Sequence, residues 1–184
     1  MRPVSFAEGI LLALVIRPVE LTDAAALLAY IQDLAAEPDI DILLEPGEIQ
    51  FTVEQEAEFL AGYLQADNSL FLVALRDGTI VGSLSLDGGR FRALRHVVTL
   101  GISVSREHRN QGIGRALLAA AIAWCRESGI VQRVELQVMV GNVRAIHLYQ
   151  RFGFEFEGRR RDAVRRLGQS RDTHLMALLL PGPA

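Results

Sequence analysis

Lysine is absent from this chain, and all 19 basic residues are arginine. A Walker-type phosphate loop depends on its lysine, so that class of nucleotide site is excluded. A lysine Schiff base and a lysine nucleophile are excluded for the same reason.

Cysteine is almost absent as well, because Cys125 is the one cysteine in the sequence. A single cysteine excludes an internal disulfide and a cysteine-cluster metal site, and we expect no bound metal. Cys125 lies in the helical run "AIAWCRES", where we interpret it as a buried and unreactive thiol rather than a nucleophile.

Long hydrophobic runs are also missing. The apolar patch "ILLALVI" at residues 10–16 is too short to span a membrane, and it predicts a first strand. Arg17 and Pro18 follow it without a small-residue cleavage site, so we expect no signal peptide and a cytoplasmic protein that does not bind membranes. The net charge of −3 gives no reason to expect nucleic-acid binding.

The composition predicts one α/β domain over residues 1–184, because 50% of the residues are hydrophobic and no linker interrupts the sequence. Thr22 is predicted to cap a first helix, and Thr52 with Gln55 forms a capping box for a second. Asp77-Gly78 between two apolar runs predicts a β-hairpin.

The second half predicts a strand–helix–strand unit. A third strand of the meander covers roughly residues 93–104, and the helix after it ends at Gly129. Another strand over 131–140 follows, and Asn142 caps a short helix. We predict that the last two strands cover 154–158 and 173–180, with a solvent-facing arginine-rich loop, "GRRRDAVRR", between them. The result is a mixed sheet.

The stretch "HRNQGIGRAL" joins the meander to the helix and looks like a diphosphate cradle. The first turn of a helix has unpaired N–H groups that, with the helix dipole, bind anions. Gly112 and Gly114 would let a phosphate approach the backbone, and Arg109 and Arg115 add positive charge. Leu117 stands where a dinucleotide-binding fingerprint has its third glycine, so we reject that interpretation.

Arg109-x-x-Gly112-x-Gly114 resembles the coenzyme A loop of the GNAT superfamily of N-acetyltransferases. "NVRAIHLYQRFGFEFEG" and "RDTHLMALLL" resemble the two later blocks of that family, in the same order. The resemblance implies the GNAT acyl-CoA N-acyltransferase fold, a mostly antiparallel sheet with a central parallel splayed strand pair and about four flanking helices. It also implies acetyl-CoA as co-substrate.

The resemblance further implies which residues bind the coenzyme. The end of the third meander strand would pair with the pantetheine arm, and the loop amides would bind the pyrophosphate. A backbone N–H at the splayed gap, that of Ile102 or its neighbour, would bind the thioester oxygen. The implied coenzyme contacts are Ile102, Ser103, Val104, Arg109, Asn110, Gln111, Gly112, Ile113, Gly114, Arg115, Asn142, Tyr149 and Arg151.

Tyr149 would act as the general acid for the departing thiolate, since a phenol keeps its proton at neutral pH. The alternative is an amphipathic core residue with its hydroxyl at the surface. A base for the attacking amine is less clear: Glu48 and His96 are the candidates, and a water chain without a single base is the alternative.

The acceptor is predicted to be a primary amine of a small molecule or peptide. Eight acidic residues and no basic one lie between Glu37 and Glu58, which favours a cationic amine if this segment is an acidic wall rather than a solvated helix edge. The arginines between Arg159 and Arg166 could instead meet an acidic partner or the coenzyme phosphates. The resemblance leaves both a monomer and a homodimer open.

Two rival functions remain at this stage. The same fold could hold acyl-CoA as a sensor without turnover, although Tyr149 and the complete loop favour catalysis. A structural protein that pairs through an open sheet edge is the other rival. Acetyl-CoA binding and release of a free thiol distinguish the three.

Overall fold

The computed structural model describes residues 14–38 and 40–181, and in these residues seven strands form one mixed sheet with four α-helices around it. The strands are β1 (Leu14–Pro18), β2 (Leu70–Arg76), β3 (Thr79–Gly88), β4 (Val97–Val104), β5 (Arg133–Met139), β6 (Glu155–Arg166) and β7 (Gln169–Leu179). The helices are α1 (Ala24–Ala36), α2 (Val53–Gln65), α3 (Ile113–Ser128) and α4 (Val143–Arg151).

The strand order across the sheet is β1-β2-β3-β4-β5-β7-β6. Every neighbouring pair is antiparallel except β4 and β5, which run parallel and are joined through α3. The predicted fold class, with its single parallel pair at the centre and about four helices, is confirmed.

Local sequence signals set several element boundaries as expected. The Thr52 hydroxyl accepts the Gln55 amide and the Gln55 side chain accepts the Thr52 amide, so the predicted capping box is present. Asn142 Oδ1 accepts the Ala145 amide at 3.1 Å and caps α4. Asp77 and Gly78 both have positive φ values, as a two-residue hairpin turn requires.

Thr22 does not cap the first helix, so that prediction is wrong. A 3₁₀ turn at Leu21–Asp23 precedes α1, and Glu20 is its N-cap residue. The Asp23 carboxylate accepts the Glu20 amide at 2.8 Å and also pairs with Arg17, which lowers the pKa of Asp23. At this helix start the Asp23 carboxylate, held by the Arg17 guanidinium, accepts a backbone N–H, and the Thr22 hydroxyl is not needed as a cap.

The predicted first strand is present over Leu14–Pro18, and the part of that prediction at residues 10–13 lies outside the described part of the chain. β4 begins at Val97, because Arg92–Leu94 form a 3₁₀ turn instead of extending the strand. None of the helices in the described ranges is long and apolar enough to cross a membrane.

Two apolar layers cover the two faces of the sheet. Leu117, Leu118 and Ile122 of α3 pack, fully buried or nearly so, with one face of the central strands. On the opposite face, Leu27 of α1 and Leu60 of α2 pack over β2 and β3. Because α1 and α2 contact β2 and β3, the same face of the sheet is less covered at β4, where Gly101 is exposed.

The prediction of an arginine-rich loop over residues 158–166 is wrong. β6 continues to Arg166, pairs with β7, and turns at Leu167 and Gly168, both with positive φ. The charged side chains are compatible with a strand because they find partners: Arg159 pairs with Asp172, and Arg160 donates to Gln137. A bulge between Arg160 and Val164 interrupts the register.

Candidate active site

A gap between β4 and β5 is the central feature of the site. The two parallel strands are paired over residues 97–99 and 133–135 only, although β4 continues to Val104 and β5 to Met139. Beyond those pairs each strand keeps its outer neighbour, β3 for β4 and β7 for β5. The strands therefore separate toward their carboxyl ends and leave facing edges without a strand partner.

The hydrogen-bond phase of β4 shows which backbone groups face the gap. Val97 C=O accepts the Gly89 amide and the Ser105 amide donates to Val81 C=O, so the odd-numbered residues of β4 bond to β3. Bonds in an antiparallel ladder alternate, so the N–H and C=O groups of Leu100, Ile102 and Val104 point into the gap. The amide of Ile102 therefore faces the gap, and its role as the donor to a thioester oxygen stays a prediction.

Ser103 differs from Ile102 in the direction of its backbone groups and in the contacts of its hydroxyl. Its backbone faces β3 by the same alternation, while its hydroxyl lies 2.9 Å from the hydroxyl of Tyr30 and 3.1 Å from that of Ser83. Burial raises the pKa of Tyr30 to about 12. Sequence reasoning missed Tyr30 and Ser83, because their closeness to Ser103 depends on helix α1 packing over the sheet.

The loop after β4 presents six consecutive amides. Among the described residues, none accepts a hydrogen bond from the N–H groups of residues 110–115; the first α3 amide with a partner is that of Ala116, bonded to Gly112 C=O. Asn110 and Gly112 have φ values of 64° and 82°, and α3 begins directly after them. Left-handed residues alternating with helical ones form a concave nest of N–H groups that binds anions.

The two glycines of this loop have different roles. Gly112 needs its left-handed conformation, and a β-carbon there would contact nothing within 4 Å. A β-carbon on Gly114 would meet Leu148 at 3.7 Å, an ordinary contact, so Gly114 is not forced by space in the absence of coenzyme.

Three arginines surround the loop, and they differ in whether their guanidinium groups already have partners. Arg109 donates to Val104 C=O at 3.0 Å and pairs with Glu37, so its guanidinium ties the loop to β4 and to the end of α1. Arg115 is exposed and has no ion pair or hydrogen bond to any described side chain. Arg76, which sequence reasoning missed, donates to the Gln111 side chain from the end of β2.

Tyr149 lies on α4 with 5% of its surface exposed, in the core cluster beside β4 and α3. Burial raises the pKa of its phenol to about 12, and the phenol has no hydrogen-bond partner among the described residues. Its ring packs against that of Phe154, with 5.6 Å between centroids. The residue holds a proton and an unused donor near the gap, while Arg151 at the end of α4 is exposed.

The two candidate bases lie in different parts of the structure, His96 at the paired end of β4 and β5 and Glu48 in the loop between α1 and α2. His96 precedes β4, and its C=O accepts the amides of Gln132 and Arg133 where the parallel pair is closed. It is six residues before Ile102, about 20 Å at about 3.3 Å per residue. The Glu48 carboxylate accepts the Glu45 amide at 2.7 Å and so closes a turn in the loop between α1 and α2. The role of either residue as a base stays a prediction.

The acidic segment at 37–58 is partly neutralised by distant arginines. Glu37 pairs with Arg109, and Asp41 pairs with Arg171 at 2.7 Å. Glu56 is buried, and burial raises the pKa of its carboxyl. Three of the eight acidic residues of this segment are therefore paired or buried, and an acidic wall for a cationic acceptor stays a prediction.

The end of the β6–β7 hairpin reaches the loop between α1 and α2. Arg166 is 3% exposed, and its guanidinium donates to four backbone carbonyls, those of Ala35, Glu37, Pro38 and Leu44. The Leu167 amide also donates to Glu45 at 2.6 Å. Arg166 belongs to β6, which pairs with β7, and β7 pairs with β5. These contacts therefore connect the β5 side of the sheet to the α1–α2 loop on the β3 side.

Neither an exposed thiol nor a cluster of metal-binding side chains is found in the described part of the chain. Cys125 is 1% exposed, and burial raises the pKa of its thiol to about 12, as expected for an inert core residue. Over residues 14–38 and 40–181, no group of three or more histidine, cysteine, aspartate or glutamate side chains could hold a metal ion.

Comparison with known proteins gives consistent matches. Residues 26–154 match the acetyltransferase (GNAT) family. The L-amino acid N-acetyltransferase AaaT of Escherichia coli is 38% identical over 106 residues, which cover 58% of this chain and 65% of AaaT, a little under two thirds of that enzyme. The L-amino acid N-acyltransferase MnaT of Escherichia coli is 31% identical over 129 residues, 68% of this chain and 69% of MnaT.

A solved structure of a GNAT-family acetyltransferase from Streptococcus pneumoniae superposes with a TM-score of 0.88 at 33% identity, over 92% of this chain and 100% of that one. With the splayed parallel pair and the free loop amides, these matches place the chain in the acetyltransferase (GNAT) family.

Proposed function

We propose that the protein transfers the acetyl group of acetyl-CoA to a primary amine of a small molecule or peptide. The observation that carries this proposal is the row of six amides at residues 110–115 that donate to no described residue, beside a strand gap that the Ile102 N–H faces. A doubly charged diphosphate fits the nest, and a carbonyl oxygen fits the gap.

Acetyl-CoA supplies the activated acetyl group, and the residues of this chain hold it. The amides of Asn110, Gln111, Gly112, Ile113, Gly114 and Arg115 bind the pyrophosphate, and the free charge of Arg115 adds to the attraction. The backbone edge of β4 at Ile102 and Val104 pairs with the pantetheine amides, much as an added strand would. Asn142 fixes the start of α4, and Arg151 lies at its other end.

The chemistry follows from three groups. The Ile102 N–H donates to the thioester oxygen, which gains negative charge when the amine attacks. Tyr149 gives its proton to the departing sulfur; burial raises its pKa to about 12, so the phenol is protonated at neutral pH. Direct attack in a ternary complex is favoured over an acetyl-enzyme, because the thiol of Cys125 is buried and protonated.

The acceptor class agrees with the relatives, whose names describe acetylation or acylation of L-amino acids for AaaT and MnaT. A related Bacillus subtilis protein, 36% identical over 55 residues, is named a spermine/spermidine N(1)-acetyltransferase. Each of these acceptors presents a cationic amine.

The test combines calorimetry with a free-thiol assay over a panel of amines. We expect acetyl-CoA to bind and thiol release to depend on an added amine. Binding without amine-dependent thiol release across the panel would support the sensor function instead. Absence of binding at millimolar acetyl-CoA would overturn both.

A further inference from the structure

One face of β3 carries a row of polar side chains beside the gap. Ser83, Ser85 and Asp87 alternate with the buried Leu84 and Leu86, so they point to the face covered by α1 and α2. Ser85 lies opposite Gly101 of β4, and Asp87 lies opposite Thr99. The row therefore runs alongside the part of β4 at which the strands begin to separate.

Gly101 lets Ser85 reach over β4. A β-carbon on Gly101 would lie 3.0 Å from Ser85 Oγ, tighter than most real contacts, so the serine hydroxyl occupies the place of a β4 side chain. Gly101 is itself exposed on this face, next to the Ile102 amide that faces the gap. An amine that approaches the gap from this face meets the Ser85 hydroxyl.

Asp87 is held in a fixed orientation behind Ser85. Tyr63 of α2 donates to Asp87 Oδ1, and Ser85 donates to Asp87 Oδ2 at 3.3 Å. Burial and the hydrogen bond to the Asp87 carboxylate raise the pKa of Tyr63, so this tyrosine keeps its proton and donates it to Asp87 in the hydrogen bond. Because Ser85 gives its hydrogen to Asp87, its oxygen lone pairs are free to accept a proton from an amine.

A cavity of about 470 Å³ opens at the same carboxylate. Asp87 and Tyr63 line it together with the exposed rings of Phe59 and Phe91 and with three arginines of the β3–β4 connection. Ser85 is not a lining residue; it borders the cavity through its hydrogen bond to Asp87. Aromatic rings around a carboxylate suit an amine that carries an apolar or aromatic body.

We propose that this cavity binds the acceptor, that Ser85 contacts its amine, and that Asp87 takes the amine's proton through Ser85. This inference rests on the proposed acetyl transfer. It names the acceptor class as a cationic primary amine with an apolar body, and it assigns the role of base to a residue that sequence reasoning did not consider.

The ammonium nitrogen gives one proton to Ser85 Oγ while the serine proton moves to Asp87, which releases it to solvent. The neutral nitrogen then bonds to the thioester carbonyl carbon, and its second proton leaves by the same route as the carbon–sulfur bond breaks. Sulfur takes the Tyr149 proton, which solvent replaces, so one proton is released for each turnover.

The charged and titratable groups around Asp87 come from two elements. Tyr63 and Glu56 belong to α2, and Arg90, Arg92 and Arg95 belong to the connection between β3 and β4 that also lines the cavity. Arg95 is paired with Asp67. Variants of Asp87 are therefore compared at a series of pH values and not at one.

The experiment measures kcat and KM of the wild-type protein and of Asp87→Asn, Ser85→Ala and Tyr63→Phe, with 2-phenylethylamine and L-phenylalanine as acceptors. Asp77→Asn is the matched control, because Asp77 is exposed in the β2–β3 turn and its side chain bonds to no described residue. Calorimetry with acetyl-CoA accompanies each variant.

We expect Asp87→Asn to lower kcat at pH 7 by about 100-fold, within the range for a lost general base, with acetyl-CoA affinity unchanged. Its rate should rise about tenfold per pH unit as the amine deprotonates in solution, whereas the wild-type rate levels off. Tyr63→Phe, which removes a positioning hydroxyl, should have a kcat between those of Asp87→Asn and the wild-type protein. Asp77→Asn should have the wild-type kcat.

Two results overturn the inference alone: Asp87→Asn with the wild-type rate and pH profile, or a wild-type protein that acetylates neither probe while acetylating another amine. If the wild-type protein does not bind acetyl-CoA, the proposed acetyl transfer is overturned together with the inference. Acetyl-CoA binding therefore shows which of the two has failed.

Discussion

Replacing Arg166 by methionine should destabilise the protein strongly, although every neighbouring arginine of β6 is a surface residue. The guanidinium binds Ala35 C=O at 2.7 Å and Leu44 C=O at 2.8 Å, with longer bonds to Glu37 and Pro38. Ala35 lies in the last turn of α1, where carbonyls lack helical partners and the dipole is negative. Arg166 thus closes the carboxyl end of that helix from a distant part of the chain.

The magnitude follows from two short bonds of a charged donor. Hydrogen bonds to charged groups contribute about 1.5–3 kcal/mol each, and water can replace some of them once the hairpin loosens. We therefore expect Arg166→Met to lower the free energy of unfolding by about 3–4 kcal/mol. For a chain of this size, that loss corresponds to a fall in Tm of about 6–16 °C.

Urea unfolding and thermal melting measure this effect, with Arg165→Met as the matched control. Arg165 is the preceding residue, it is exposed, and its pair with Asp162 at 3.4 Å lies at the surface. Such pairs contribute about 0–1 kcal/mol. If Arg166→Met and Arg165→Met differ by less than about 0.5 kcal/mol, the buried cap on α1 is refuted.

Three further predictions concern the coenzyme loop, the general acid and the thiol. Gly112→Ala places a β-carbon on a residue with φ of 82°, which costs about 1–2 kcal/mol. Because the loop needs this conformation to bind the pyrophosphate, acetyl-CoA affinity measured by calorimetry should fall by about 5- to 30-fold. Gly114→Ala should keep the stability of the wild-type protein, since its β-carbon would make ordinary contacts. Tyr149→Phe should lower kcat with little change in acetyl-CoA affinity, and equal turnover would remove Tyr149 from the mechanism. Cys125 should react with iodoacetamide at pH 8 only as the protein unfolds, because burial raises the pKa of the thiol to about 12; rapid labelling of the native protein would contradict this.

Much of the fold could be predicted from short sequence signals. The capping box at Thr52, the Asn142 cap and the Asp77-Gly78 turn depend on residues within three positions of each other, so the sequence alone determines them. The splayed pair was expected from the family resemblance, and the register of β4 and β5 confirms it.

The features that sequence reasoning missed depend on distant contacts. Residues 158–166 have loop-like composition, but pairing with β7 and partners such as Asp172 make them a strand. Arg166 finds its carbonyls more than 120 residues away, and no local pattern separates it from Arg165. Asp87 becomes a candidate base only through Tyr63 on α2, which donates to it, and through Gly101 on the neighbouring strand, which leaves room for Ser85.

Amide chemical shifts during an acetyl-CoA titration test the central claim most directly, because they report on the backbone groups of residues 110–115 and of Ile102 one by one. The account predicts that these amides show the largest shifts in the protein and that they saturate together. Binding of acetyl-CoA that leaves them unchanged while other regions shift would contradict it.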